Sequence, residues 1–203
     1  MNNTYWDNVY LEKSEEDMSW FQEHPVKSLE MIKELGLSKS GSIIDIGGGD
    51  SRLVDHLLTE GFEDLSVLDI SEVSLKKLKN RLLGAGNKVA YLVSDVTEFR
   101  PPKLYDLWHD RATFHFLTSI DQINKYLETA NAALKPGGNL IISTFSKDGP
   151  EKCSGLPIHQ YSESELKELF QHYFTNTRCF EDTHVTPWGK TQSFVYCGFK
   201  KKV

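Results

Sequence analysis

No run of apolar residues in this 203-residue chain approaches the roughly 20 that a helix needs to cross a bilayer, so a membrane-spanning helix is not expected. Cysteine is scarce: Cys153, Cys179 and Cys197 are scattered, odd in number and form no C-x-x-C. That pattern suggests neither a zinc or other metal site nor a disulfide framework, and a reducing cytoplasm is the simplest compartment. Positive charge is also short. With 23 Lys and Arg against 29 Asp and Glu the net charge is -6, which argues against the basic face that DNA binding needs. The one clear basic run, Lys200-Lys201-Lys202, reads as a solvated tail. The first seven residues lack the charged and apolar regions of a signal peptide. Repeats, low-complexity segments and linkers long enough to divide the chain are missing too. What is present is ordinary for one globular unit with a sizeable core: 39% hydrophobic and 26% charged residues.

Residues 1–40 are polar, spotted with aromatics and mostly helical in pattern. Val26, Leu29, Ile32, Leu35 and Leu37 recur at helical spacing. From residue 41 strands and helices alternate. Strands are expected at Ser42–Ile46, 65–68, Val89–Val93, 104–108 and 139–145. Helices are expected at 52–59, at 72–83 with Ser71 as cap, at 120–134 and at Glu163–Phe170 with Ser162 or Tyr161 near its cap. Such alternation predicts right-handed crossovers and a Rossmann-like, doubly wound α/β sheet, mostly parallel. The late strands 177–183 and 192–199 have only Pro187-Trp188-Gly189 between them, so they predict a hairpin that adds an antiparallel strand at one edge.

The segment Ile43-Ile44-Asp45-Ile46-Gly47-Gly48-Gly49 is a buried strand running into a glycine turn. A dinucleotide fingerprint would need a third glycine at position 52, where this chain has Arg52. Asp45 beneath the turn would repel a pyrophosphate. It suits a ligand with a cationic centre, of which S-adenosylmethionine, with an ammonium and a sulfonium, is an example.

Ligands of open α/β sheets sit beyond the carboxyl ends of the strands. Three further strand ends here are polar. Asp69 can accept hydrogen bonds from both hydroxyls of a ribose. Asp95, beside Ser94, can accept from an adenine amine, with Ile70 and Val96 over the two ring faces. Trp108-His109-Asp110-Arg111 is a dense cluster where a substrate would meet the cofactor. Each acid alone reads as easily as a turn or helix cap, but glycine turn, acid and acid in this order are hard to obtain by chance. His115, in Phe114-His115-Phe116, reads as structural.

On these residues the chain resembles the class I, seven-stranded, S-adenosylmethionine-dependent methyltransferases along nearly its whole length. The family's D/E-x-G-x-G is matched by Asp45-Ile46-Gly47-Gly48-Gly49, its second-strand acid by Asp69, its third-strand acid by Asp95 and its L-K-P-G-G turn by Leu134-Lys135-Pro136-Gly137-Gly138. Ser51 stands where many members have another glycine. Tyr5-Trp6-Asp7, Trp20-Phe21 and the stretch from Gly61-Phe62-Glu63-Asp64 to Ile70-Ser71-Glu72-Val73 are similar to a subgroup containing protein-lysine methyltransferases. The resemblance implies that Asp45, Gly47, Gly48, Gly49, Ser51, Asp69, Ile70, Ser94, Asp95, Val96 and His109 hold the cofactor.

Methyl transfer from a sulfonium is an in-line displacement in which the protein aligns donor and acceptor. His109 is the expected general base, Asp110 the group that orients a cationic acceptor and Arg111 the anchor for an anionic one; pairing of Asp110 with Arg111 is the plain alternative. Residues 1–40 are expected to form a helical lid over the domain 41–203. Trp6 and Trp20 from that lid, with Tyr10 and Phe21 nearby, and His159 and Tyr161 from the loop 146–161, are expected to contact the substrate, a small molecule or a protein side chain. Cys153 in that loop is a candidate for binding a soft substrate but more simply incidental. No N/D-P-P-F/Y motif of amide-directed enzymes occurs. Two alternatives remain, an NAD(P)-dependent oxidoreductase and a non-catalytic module that keeps the cofactor pocket.

Overall fold

A computed structural model describes residues 2–203. Seven strands form one sheet in the order β3-β2-β1-β4-β5-β9-β8. They are β1 (Ser42–Ile46), β2 (Asp64–Asp69), β3 (Val89–Val93), β4 (Tyr105–Arg111), β5 (Leu134–Phe145), β8 (Phe174–Val185) and β9 (Thr191–Lys201). The two-residue strands β6 (Lys152–Cys153) and β7 (Leu156–Pro157) form a separate ribbon. Strands β1 to β5 pair in parallel, while β9 runs antiparallel to both β5 and β8. The antiparallel strand therefore lies inside the edge hairpin, second from the edge.

Strand β1 is buried along its whole length, because alternate side chains feed two cores. Ile44 and Ile46 enter one with Trp108, Leu140 and Ile142; Ile43 enters the other with Val67, Leu107 and Ile141. The first core is covered by α5 (Ile120–Ala133) and α6 (Glu163–Phe170), the second by α2 (Val26–Glu34), α3 (Leu53–Thr59) and α4 (Glu72–Arg81). Ser71, Ser119 and Ser162 cap α4, α5 and α6 through their side chains, the last two in capping boxes with Gln122 and Glu165. Among the described residues no helix is long and apolar enough to cross a membrane.

Three expectations need correction. Strand β4 does not end at Trp108 but runs to Arg111, because it pairs with β1 on one side and β5 on the other through Asp110 and Arg111. Pro136-Gly137-Gly138 does follow the end of α5, yet β5 already begins at Leu134, with a register shift opposite Tyr105 and Leu107. Cys179 and Cys197 are 18 residues apart in sequence but face each other across the β8–β9 ladder, where they form a disulfide. Cross-strand register creates this pair, and a search for closely spaced cysteines has no access to register.

Candidate cofactor and acceptor site

The strand order reverses between β1 and β4, so a crevice opens at their carboxyl ends. A cavity lies there. It is lined by Gly47, Leu68, Asp69, Ile70, Ser94 and Val96 on one side and by Arg111, Ala112, Thr113 and Phe116 on the other. Trp6, Tyr10, Trp20 and Cys153 complete its lining. A second cavity lies against Asp45, Gly48, Asp50, Ser51, Ser28 and His109. Gly47, Trp20 and Arg111 line both, so the two spaces meet at these residues.

The glycines of the turn are required by packing as much as by any ligand. Gly47 and Gly49 have φ of 58° and 54°, which favours glycine. A Cβ on Gly47 would lie 1.9 Å from Thr113 Oγ1, and one on Gly49 would lie 2.2 Å from the Tyr10 hydroxyl. The turn is thus clamped between the end of β4 and α1 (Asn3–Glu12). Asp45 beneath it is bound by Ser51 Oγ at 3.3 Å and by His109 Nδ1 at 2.7 Å.

Asp69 is buried, and Ser71 N and Gly49 N donate to it. Burial outweighs those two bonds and raises its carboxyl to about 7. Asp95 itself does not line the cavity, although Ser94 and Val96 on either side do. One Asp95 oxygen accepts from the backbone N and hydroxyl of Thr97 at 2.9 and 2.8 Å.

The cluster Trp108–His109–Asp110–Arg111 does not converge. Because β4 continues through it, successive side chains point to opposite faces of the sheet. Trp108 Nε1 donates to Tyr126 Oη, and Tyr126 Oη donates to Asp110 at 2.7 Å, on the α5 side. Asp110 also accepts from Thr113 N and Phe114 N, is fully buried, and is raised to about 6 by that burial. This removes Asp110 from any contact with an acceptor and rules out its pairing with Arg111. His109 lies on the opposite face, with Nδ1 on Asp45 and Nε2 2.8 Å from Ser28 Oγ. Both ring nitrogens are occupied by the protein, so His109 positions Asp45 rather than serving as a general base.

Arg111 shares His109's face but reaches the cavities. Nη1 donates to Trp20 O at 2.9 Å, Nε to Tyr196 Oη at 3.4 Å, and the guanidinium lies 5.1 Å over the Phe194 ring. Nη2 is buried and has no partner among the described residues. The next residue, Ala112, has φ of 68°, an uncommon conformation for a residue with a Cβ, at the point where the chain leaves the sheet beside both cavities.

The loop 146–161 divides. Cys153 reaches the cavity, where burial pushes its thiol up to about 12, so it is a neutral wall rather than a nucleophile. His159 and Tyr161 do not line either cavity. Tyr161 is packed in the α5/α6 core against Phe114, and His159 is an exposed ring against Tyr161. The alternation of the loop carries them past the opening. His115 is structural as expected: stacked on Phe145 and held near 3 by burial, then by Arg111.

Several contacts were invisible in the sequence. Asp7 accepts from Ser71 Oγ and Val73 N, which docks α1 on the start of α4. Tyr5 Oη donates to Ser154 O in the β6–β7 turn, latching α1 across the cavity. Arg52, at the place of the missing third glycine, binds Glu15, which also receives Arg81; Arg81 in turn holds Asp55 and Ser51 O. The polar residue at 52 thus ties the glycine turn to the segment after α1, a partner its own neighbourhood did not signal.

Comparison with known proteins agrees with this geometry. A methyltransferase domain family model matches residues 44–140. Malonyl-[acyl-carrier protein] O-methyltransferase 2 of Ilyobacter polytropus is 28% identical over 63% of this chain and 50% of its own length. EEF1A lysine methyltransferase 2 of Danio rerio is 26% identical over 86% of this chain and 75% of its own length. Among solved structures, a Burkholderia thailandensis 1,6-didemethyltoxoflavin-N1-methyltransferase, bound to its substrate and S-adenosylhomocysteine, superposes with a TM-score of 0.73 at 20% identity, covering 99% of this chain and 84% of that one. The chain spans about half the length of the first of these curated relatives. Residues 44–140 are thus matched as a methyltransferase domain, and the chain's fold and motif order are similar to those of the class I S-adenosylmethionine-dependent methyltransferases. These matches give the oxidoreductase alternative no support.

Proposed function

We propose that this protein transfers a methyl group from S-adenosylmethionine to a small molecule or a protein side chain. The observation that carries the reading is Asp69: a buried carboxylate at the end of β2, facing a cavity whose other walls are Ile70, Ser94 and Val96. Asp69 would hold the ribose hydroxyls, Ile70 and Val96 would sandwich the adenine, and Asp95 would receive its amine. Asp45, with Ser51 and the glycine turn, would face the amino-acid end, and His109 would keep Asp45 oriented through their shared hydrogen bond. When bound, the cofactor supplies an electrophilic methyl on sulfur. The chain's own part is to align the acceptor and exclude water, with residues 1–40 as the lid over the core 41–203.

The acidic balance supports an acceptor other than DNA or a membrane surface. A cytoplasmic setting belongs to the same reading; the Cys179–Cys197 disulfide weighs against it, and thiol alkylation of protein taken from cells tests it. For the reaction itself, extract fractions incubated with the protein and methyl-labelled S-adenosylmethionine are the test. Label moving into one protein band or one small-molecule peak is expected. Binding of the cofactor with no transfer to any fraction would instead favour a non-catalytic module.

A further inference from the structure

Two residues lining the first cavity can carry a formal charge beside the high-pKa Cys153 and Tyr10: Asp69 and Arg111. In the reading above, Asp69 is taken by the ribose. Arg111 is then the charged group facing whatever else enters. The described residues provide it with neutral partners alone, a carbonyl, a phenol and an aromatic face. Nη2 is buried with nothing to donate to. A half-buried guanidinium with no carboxylate partner is uncommon, because desolvating the charge is costly unless an anion compensates it.

The surroundings repeat the pattern. Ser143 stands opposite Arg111 on β5, and its hydroxyl is also buried and unpartnered. His115 Nε2, close enough to Arg111 for its charge to act on the ring, is a third such atom. Two unmatched polar atoms thus lie near a guanidinium that has one of its own, and of the three residues Arg111 is the one that lines the cavity, beside the apolar walls of Trp6, Trp20 and Phe116. A planar fork with a free N–H edge matches a carboxylate or phosphate better than any neutral group. A protonated amine would meet Arg111 with the same sign of charge.

We infer that the methyl acceptor is an anion, a carboxylate on an apolar body, and that Arg111 is the residue that selects it. This deepens the methyltransferase reading and rests on it. The rival occupant is the cofactor's own carboxylate, since Arg111 also borders the second cavity.

The test is calorimetry on the full chain saturated with S-adenosylhomocysteine. The probes are benzoate, inorganic phosphate, neutral benzamide and butylamine, with wild type, Arg111→Met and Arg111→Lys. Benzoate is expected to bind at least about tenfold more tightly than benzamide, phosphate or butylamine. Arg111→Met should erase that preference while keeping affinity for S-adenosylhomocysteine within about tenfold, and Arg111→Lys should restore part of it. Benzamide or butylamine matching benzoate would overturn the inference, and tightest binding of phosphate would overturn the carboxylate. A larger loss of S-adenosylhomocysteine binding in Arg111→Met, with 5′-methylthioadenosine binding unchanged, would assign Arg111 to the cofactor and overturn it as well. Failure of wild type to bind S-adenosylhomocysteine at all would instead strike the methyltransferase reading.

Discussion

The two sides of the cavity are built differently. On the β2–β3 side each contact residue belongs to a short stretch with its own signature: Asp69 ends β2, Ile70 follows it, and Ser94 and Val96 flank Asp95. On the β4 side the wall is assembled from distant pieces. Arg111 is held by Trp20 from the N-terminal segment and Tyr196 from β9, 91 and 85 residues away. The first side can be recognised locally; the second depends on tertiary packing.

The comparison can be broken by substitutions that should strike fold on one side and binding on the other. The largest effect is expected at Asp110. Asp110→Ala leaves Thr113 N, Phe114 N and Tyr126 Oη without their acceptor and should cost about 3–4 kcal/mol in urea unfolding, with affinity for S-adenosylhomocysteine unchanged in the folded fraction. A stable Asp110→Ala protein that has lost binding would put Asp110 back in the site.

Next is the edge hairpin. Cys179–Cys197 closes a span of 18 residues, so reduction or Cys197→Ser should cost about 2–3 kcal/mol, lowering Tm by roughly 6–10 °C in scanning calorimetry. Cofactor affinity should not move, because the bridge lies on β8 and β9, away from the walls of both cavities.

Acidity should act on the cofactor side. Asp69 is raised from 3.8 to about 7 by burial, so its folded carboxyl is protonated at mildly acidic pH. In the unliganded protein that contribution to stability is present below pH 3.8 and lost as pH rises through about 7. Binding has the opposite sign, since the ionised form is the better acceptor for two hydroxyls. Affinity for S-adenosylhomocysteine should fall by up to about tenfold per pH unit below pH 7, and Asp69→Asn should flatten that dependence. The smallest effect is expected for Tyr5→Phe, which releases the Tyr5–Ser154 latch. It should cost about 1 kcal/mol or less, and faster amide exchange in α1 would report it.

The order of elements and the placing of Asp45 and Asp69 at strand ends beside the glycine turn were legible because strand and helix periods, Ser caps and a glycine turn are local signals. The Trp108–Arg111 cluster was misread for a physical reason. Four polar or aromatic residues in a row look like one site if the strand stops before them and like two opposed faces if it continues. His109 and Asp110 therefore became supports for Asp45 and for the Thr113 turn, while Arg111 alone kept a place on the cavity. His159 and Tyr161 failed similarly, because the small β6–β7 ribbon turns Cys153 to the cavity and carries them past it. Contacts of Arg52 with Glu15 and of Asp7 with Ser71 depend on how the N-terminal segment packs on the sheet domain, which no local pattern encodes.

The central claim is that Asp69 marks an S-adenosyl cofactor site. Titration calorimetry of S-adenosylhomocysteine into wild type and Asp69→Ala at pH 8 tests it most directly. Micromolar binding by wild type, weakened about 100-fold by the loss of a charged acceptor for two hydroxyls, is the predicted result. Equal affinity in the two proteins, or none in either, would contradict it.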